Sequence, residues 1–266
     1  MKSGIVQALW AAKSLKKLHI PLNKKIVFIL NSDEEIGSPT SRPIIEAEAK
    51  KSKIILVGEP SISKTGALKT SRKGVGMFNL KVKGVASHSG NHHDYGISAI
   101  EELAHQILTL QGFTNYDTGT TVNVGVAQGG TQSNVVAAEA EAAIDLRIVT
   151  QAEAQRLEQL ILNLKPKLQG TNVTITGGIN RPPMERTLVT EKLYLKARDI
   201  AKSLGFDLSE GAVGGGSDGN FTAALGIPTL DGLGCVGDGP HAEHKHILIN
   251  HLPQRSALLA HLMIEL

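Results

Sequence analysis

The sequence predicts an α/β protein in which a parallel-sheet domain, residues 1–70 and 182–266, is interrupted by a ferredoxin-like α+β domain at residues 71–181. Three observations predict it. Two apolar runs, Lys25-Ile-Val-Phe-Ile-Leu30 and Ile54-Ile-Leu-Val57, flank a helical stretch, which is the strand, helix, strand rhythm of a parallel sheet. From about Ser71 the order becomes β-α-β-β-α-β, the ferredoxin-like motif. From Arg181 the first style returns, with long helices between glycine-rich loops.

Residues 2–18 place Ile5, Leu9, Trp10, Ala12 and Leu18 near helical spacing, and Pro21 ends that helix. The run at 25–30 reads as a buried strand, being short, β-branched and bounded by polar residues. Residues 42–50 form a short helix and 54–57 a second buried strand. In the inserted domain, 77–83 alternates as a half-exposed strand, 97–110 is helical, and 120–126 and 139–149 are strands. A helix at 152–164 and a strand at 172–176 close that domain, whose edge strands suit pairing across a dimer axis. Then come a helix at 188–204 stopped by Gly205, the turn Gly214-Gly-Gly-Ser-Asp218, a helical stretch at 220–225, Pro228-Thr-Leu-Asp231, the loop 232–246 and a closing helix at 253–266.

Hydrophobic residues make up 41% and charged residues 20% of a chain long enough, at 266 residues, to bury a full core. A formal net charge of +3, with both signs interspersed, argues against nucleic acid as a partner. The Lys13 to Lys17 cluster reads as the solvated face of the first helix. The single cysteine, Cys235, excludes an internal disulfide and leaves the redox compartment open. No apolar run approaches the ~20 residues of a membrane span and no secretory signal is visible, so no membrane partner and a cytoplasmic location are expected.

Glu34 and Glu35, in Asn31-Ser-Asp-Glu-Glu-Ile-Gly37, follow the first predicted strand, at the edge where open α/β sheets place their chemistry. On an extended backbone they point to opposite sides, so one can bind a metal while the other faces substrate; an acidic turn capping the next helix is the plain alternative. The second strand brings Gly58-Glu59-Pro60 to the same edge, and His241 lies in a glycine-rich loop. Carboxylates with imidazole and no thiolate suit zinc, manganese or cobalt in a catalytic site, although each residue alone would be ordinary surface. His244 and His246 are solvent-exposed residues or alternative ligands. The Gly214 turn is a simple turn, or a loop whose amides approach an anion. His88 stands at a strand end, Asn134 follows a Gly-Gly loop, and Arg147 would pair either with a substrate carboxylate or with a neighbouring acid.

With these residues the chain resembles the di-zinc exopeptidase and deacylase superfamily of carboxypeptidase G, aminoacylase, acetylornithine deacetylase and succinyl-diaminopimelate desuccinylase. The matching motifs are the Asn31 to Gly37 stretch, Gly58-Glu-Pro60, Gly84-Val-Ala-Ser-His-Ser-Gly90, Gly215-Gly-Ser-Asp218 and Gly237-Asp-Gly-Pro-His241, and the carboxypeptidase G branch fits best. The resemblance implies a homodimeric hydrolase with two zinc ions, acting on a small peptide or an N-acyl amino acid with a C-terminal residue such as glutamate. It makes Glu34 the general base, Glu35 and His241 ligands of one zinc, and Glu59 a ligand of the other. His88 would reach the oxyanion in the partner's site, and Asn134, Arg147, Gly215, Gly216 and Ser217 would hold the substrate's free carboxylate. The family also carries an earlier segment, with a His-x-Asp motif and a bridging aspartate just before a Met-Lys-Ser-Gly-like stretch. Here Met1-Lys-Ser-Gly4 opens the chain, so an N-terminally truncated catalytic domain with weak activity is expected. Glu243-His-Lys245 replaces acidic residues expected after His241. Competing readings are an aminoacylase or aminopeptidase of the same superfamily, and a non-enzymatic dimerising module.

Overall fold

The computed structural model describes residues 2–63 and 65–266; Met1 of the Met-Lys-Ser-Gly stretch lies outside the described residues. The chain forms two units, one from Met1–Lys73 with Met184–Leu266 and one from Gly74–Pro183.

The first unit begins with α1 (Lys2–Lys17), which buries Gln7, Ala11 and Leu15 on one face. Next, α2 (Arg42–Ala49) has a proline in its first turn and buries Ile45 and Ala49. Two short strands follow, β1 (Ile55–Leu56) and β2 (Leu68–Arg72). Residues 25–30 do not form the expected buried strand. Val27, Phe28, Ile29 and Leu30 are 46%, 41%, 39% and 63% exposed, and only Ile26 of this run packs against the core. A strand requires a neighbour to complete its ladder, and none of the described strands pairs with this run. The 54–57 run is also only half-buried.

The inserted unit comprises β3 (Gly74–Lys83), α3 (Ala99–Gln111), β4 (Thr121–Gly129), β5 (Glu139–Ile148), α4 (Gln151–Leu162) and β6 (Asn172–Arg181). Its strands pair antiparallel in the order β4-β5-β3-β6, the ferredoxin-like arrangement. Alternation in β3 and β5 sends Phe78, Leu80, Val82, Ile144, Leu146 and Ile148 into a core completed by Leu103 and Leu110 of α3 and Leu157 and Ile161 of α4. Ser98 and Thr150 cap α3 and α4 by accepting from the Glu101 and Glu153 N–H at 3.2 and 3.3 Å. Gly177, at φ 114°, lets β6 pass β3, since a Cβ there would meet the Met77 carbonyl oxygen at 2.1 Å.

The first unit resumes with α5 (Leu188–Ser203), β7 (Glu210–Val213), α6 (Gly219–Ala224), β8 (Thr229–Leu230), β9 (Gly237–Asp238), β10 (His246–Ile247) and α7 (Leu252–Glu265). Its strands form parallel pairs, β1 with β8 and β2 with β7, and one antiparallel pair, β9 with β10. The core joins Ala11 and Leu15 of α1, Leu193 and Ala197 of α5, Leu258 and Leu262 of α7, and Leu68 and Leu230 of the strands. Arg255 of α7 is buried there and donates to the carbonyls of Gly234, Gly66 and Gly232, tying the loop that follows β8 to the one that precedes β2. Among the described residues no helix is long and apolar enough to cross a membrane.

Candidate active site

The acidic stretch at 31–38 is a short 3-10 turn, Glu34–Ile36, rather than the extended segment the sequence suggested. Asp33 closes it. Its Oδ2 accepts from the Thr40 N–H at 2.8 Å, the Thr40 hydroxyl at 2.7 Å and the Ser41 N–H at 3.0 Å, bending the chain back on itself. Hydrogen bonds from Ser41 and Thr40 hold the Asp33 carboxyl well below its ordinary range. Successive side chains on a 3-10 turn diverge by about 120°, so Glu34 and Glu35 still face different ways. Glu34 is half-buried and Glu35 exposed.

After the turn, Gly37 and Ser38 take left-handed φ values of 92° and 57°. That conformation carries the fully buried Ser38 to Asp218, where its hydroxyl donates to Oδ1 at 2.5 Å. The Asn31 amide donates to the other Asp218 oxygen at 2.7 Å and to the Ser41 hydroxyl at 3.0 Å. The acidic turn is thereby tied to the glycine turn that ends in Asp218.

Glu59 lies just after β1, its backbone fixed by the Gly234 N–H donating to its carbonyl at 2.8 Å. Burial, the Asp231 carboxylate and the Glu34 carboxylate raise its pKa to about 7, against the opposing pull of Arg72 and Lys69. Lys69 is pushed the other way, its pKa lowered by burial and by Arg72. His241, between β9 and β10, has a left-handed φ of 62°, and its Nε2 stands 4.0 Å from Glu35 Oε2. His244 and His246 contact each other through a ring nitrogen and a carbonyl 3.0 Å apart.

Gly215, Gly216 and Ser217 follow β7. Ser217 is 1% exposed, and its hydroxyl donates to Asp231 Oδ2 at 2.6 Å. Its N–H donates to the Asn220 side-chain oxygen at 2.9 Å, so both its polar groups point into the protein. Arg72 from the end of β2 forks onto Asp231 at 2.6 and 3.1 Å, and both are almost wholly buried, at 4% and 0% exposure.

The inserted unit holds the other three predicted site residues. His88 Nδ1 accepts from the Gly90 and Asn91 N–H groups at 3.1 and 3.2 Å, which puts the ring proton of the neutral form on Nε2. The Ser89 N–H donates to the Asn134 carbonyl at 3.0 Å, so His88 and Asn134 lie on adjacent segments. Arg147 stands apart from them. It forks onto Asp145 at 2.7 and 2.9 Å, the neighbouring-acid alternative.

Carboxylate and imidazole donors suit a divalent cation; two donors on one tetrahedral zinc ion lie about 3.4 Å apart, closer than the 4.0 Å between Glu35 and His241. Among the described residues, however, no group of three or more His, Cys, Asp or Glu side chains is gathered to hold a metal ion. Sequence reasoning missed Arg72, Asp231 and Lys69, whose charges meet only in the folded unit. Asn31 and Asp218 sat inside recognised motifs without an assigned part.

Similarity to known proteins defines the class. A model of the peptidase dimerisation domain matches residues 70–170. The chain is 28% identical to carboxypeptidase G2 of Pseudomonas sp. over all of its own length and 65% of the relative's. It is 31% identical to succinyl-diaminopimelate desuccinylase of Shewanella piezotolerans, over 96% of this chain and 69% of that protein. Aminopeptidase PepT of Bacillus cereus superposes with a TM-score of 0.78 at 23% identity, covering 99% of this chain and 70% of that one. The YxeP protein of Bacillus subtilis, described as a dinuclear metal-binding peptidase of the M20 family, gives 0.75 at 18% identity, covering 97% and 69%. The chain belongs to the M20 peptidase family. It spans about two thirds of the length of these relatives.

Proposed function

We propose that this chain carries acid–base and ligand residues of a metal-dependent hydrolase that cleaves an amide or peptide bond beside a C-terminal amino acid. The observation supporting it is that Glu35 and His241, far apart in sequence, lie 4.0 Å apart in the unit that also carries Glu34 and Glu59. Glu35 and His241 would hold one metal ion and Glu59 a second, with zinc, cobalt or manganese all compatible with these donors. Such a metal lowers the pKa of water and polarises the scissile carbonyl. Glu34 would take a proton from the attacking water and pass it to the departing amine. His88 would donate its Nε2–H, across the dimer, to the carbonyl oxygen in the partner's site as that oxygen gains charge. Asn134 and Arg147, with the Gly215 and Gly216 amides, would bind a free carboxylate, Arg147 sharing its fork with Asp145. Ser217 would act by holding the turn. The dimerisation-domain match and the open edge strand β4 support a homodimer.

Identity to the desuccinylase favours, as a second reading, N-acyl amino acids over peptides as substrates. The test equilibrates the purified chain with zinc, desalts it, and measures bound metal and hydrolysis of N-acyl amino acids with free and amidated α-carboxyls. We expect bound metal in the wild-type chain and binding weaker by about 10-fold or more in His241→Ala, because loss of even a ligand's supporting partner costs about 10–100-fold in affinity. Turnover should be confined to substrates with a free carboxylate and should fall about 100-fold or more in Glu34→Gln. Hydrolysis indifferent to Glu34→Gln would overturn the proposal, and equal turnover of amidated substrates would favour an aminopeptidase.

A further inference from the structure

We infer that Asp218 is a positioning residue that clamps the acidic turn at both ends and so sets where Glu34 and Glu35 stand. This rests on the hydrolase reading above and adds the group that orients its base and one of its metal ligands. The two oxygens of one carboxylate are divided between the flanks of the turn. Asn31, before it, donates to Oδ2 at 2.7 Å, and Ser38, after it, donates to Oδ1 at 2.5 Å. Residues 32–37, Glu34 and Glu35 among them, lie between the two donors. Asp33 works inside the loop, on Thr40 and Ser41, and fixes its shape. Asp218, 187 and 180 positions from its donors, fixes its seat on the elements that follow β7. Among the described residues the Glu35 side chain makes no hydrogen bond and stands 4.0 Å from the His241 ring, so its reach is set by the backbone that carries it.

Two features mark the clamp as more than a surface contact. Asp218 stands just before α6, where aspartate ordinarily caps a helix by accepting from a first-turn N–H. It makes no such bond, because its carboxylate is turned to the acidic turn. Ser38 is wholly buried with a left-handed φ of 57°, which a Cβ disfavours. Glycine would relieve that strain and keep the backbone bonds of residue 38, from its N–H to the Asp33 carbonyl at 2.9 Å and from the Arg42 N–H to its carbonyl at 3.0 Å. What glycine lacks is the hydroxyl that reaches Asp218. The carboxylate is itself presented from a fixed base. The Phe221 N–H donates to the Asp218 carbonyl at 3.1 Å, the Arg42 guanidinium lies over the Phe221 ring at 4.6 Å, and Arg72 Nη1 donates to the carbonyls of Gly215 and Gly216 at 3.0 and 3.3 Å. Groups held in this way lose little freedom on meeting a metal ion or substrate.

The experiment measures the zinc Kd of the purified full chain by competition with a chelating dye, and amide hydrogen exchange of the metal-free chain by NMR. Asp218→Ala should weaken zinc binding about 10-fold or more, the scale on which partners that orient a ligand act, and speed exchange of the Gly37 and Ser38 amides. Asn31→Asp sets two carboxylates against each other and should do the same. Asn31→Asp combined with Asp218→Asn reverses the direction of one hydrogen bond, keeps the other, and should recover most of the lost affinity. A purely structural part for Asp218 would lower the melting temperature and leave the zinc Kd of the folded chain alone. Should Asp218→Ala not fold, the comparison of Asn31→Asp with the double variant decides. An unchanged Kd in Asp218→Ala, or a double variant no better than Asn31→Asp, would overturn the clamp while leaving the hydrolase reading intact. A wild-type chain that binds no zinc, or binds it equally well in His241→Ala, would overturn both.

Discussion

The two units solve the problem of order differently. The inserted unit is built on long ladders: β3 pairs with β5 from Gly74↔Ile148 to Lys83↔Glu139 without a break, and these two strands alternate core and surface residues. The first unit has strands as short as two residues, and its site loops are held by polar side chains from distant positions, Asn31 and Ser38 to Asp218 and Arg72 to Asp231. Sheet geometry orders the first architecture and side-chain hydrogen bonds the second. Loops fixed in that way can place several different side chains around one point, which a regular ladder cannot. The consequence is that the site loops depend on a few buried polar groups, while a hydrophobic core of α1, α5, α7 and the strands supports the rest of the unit.

The most direct way to break this comparison is Arg72→Ala. It strands the Asp231 carboxylate, which is wholly buried, and releases the Gly215 and Gly216 carbonyls. Breaking a buried pair costs about 3–5 kcal/mol, and scanning calorimetry should show that loss in one transition while a transition assigned to the inserted unit holds. Replacing the pair on both sides, Arg72→Leu with Asp231→Leu, should recover much of the stability, because no charge is then left uncompensated. A double variant as damaged as Arg72→Ala would mean that the loop contacts, not the charge, dominate.

The inserted unit has a comparable polar anchor. Glu102 is wholly buried on α3 and accepts from the Gln106 amide at 2.6 Å, the Lys167 N–H at 2.9 Å, the Leu168 N–H at 2.6 Å and the Thr171 hydroxyl at 3.2 Å. Burial pushes its pKa up, but the hydrogen bonds from Gln106, Leu168, Lys167 and Thr171 outweigh it, and the net shift is downward. Glu102→Gln should cost about 1–3 kcal/mol in the inserted unit, since an amide cannot accept all these bonds. A carboxyl whose folded pKa is depressed contributes stability that is full above its unfolded pKa, about 4.3, and is lost as pH falls through its folded value. Asp33, also depressed, gives the first unit the same sign. The inserted unit should thus weaken on acidification and Glu102→Gln should flatten that dependence, whereas in the first unit Glu59, its pKa raised to about 7, opposes Asp33 as pH falls from neutral. The check is chemical denaturation followed from neutral pH down to about pH 3.

How much the sequence disclosed follows the same division. The β-α-β-β-α-β order was legible because strands such as β3 alternate over ten residues and the helices carry clear caps. The helices of the first unit were legible from apolar spacing and from proline and glycine boundaries such as Pro21 and Gly205, and the motifs carrying Glu35 and His241 pointed to residues whose side chains lie 4.0 Å apart. The strands β2 and β7, Leu-Lys-Thr-Ser-Arg and Glu-Gly-Ala-Val, escaped notice because they are short and without a usable period. The opposite error occurred at residues 25–30, where apolar character suggested a buried strand that the described partners do not supply. Glu34 and Glu35 were assigned an extended backbone because the turn depends on Asp33 capturing Thr40 and Ser41, a contact across seven or eight positions that hydropathy does not register. Arg72 and Asp231 lie 159 positions apart, and neither has a local pattern that marks it as one half of a pair.

The smallest predicted effects sharpen the contrast by testing whether helix ends report locally. Ser98 and Thr150 cap helices of the inserted unit, and Thr187 caps α5 of the first by accepting from the Thr190 N–H at 3.2 Å. Each alanine substitution removes one acceptor from the first turn and should cost about 1 kcal/mol. If the two units are separate cooperative bodies, Ser98→Ala and Thr150→Ala should move one calorimetric transition and Thr187→Ala the other. If all three move a single transition equally, the units unfold together, and the Arg72 network then contributes to the stability of the ladder unit as well as to its own.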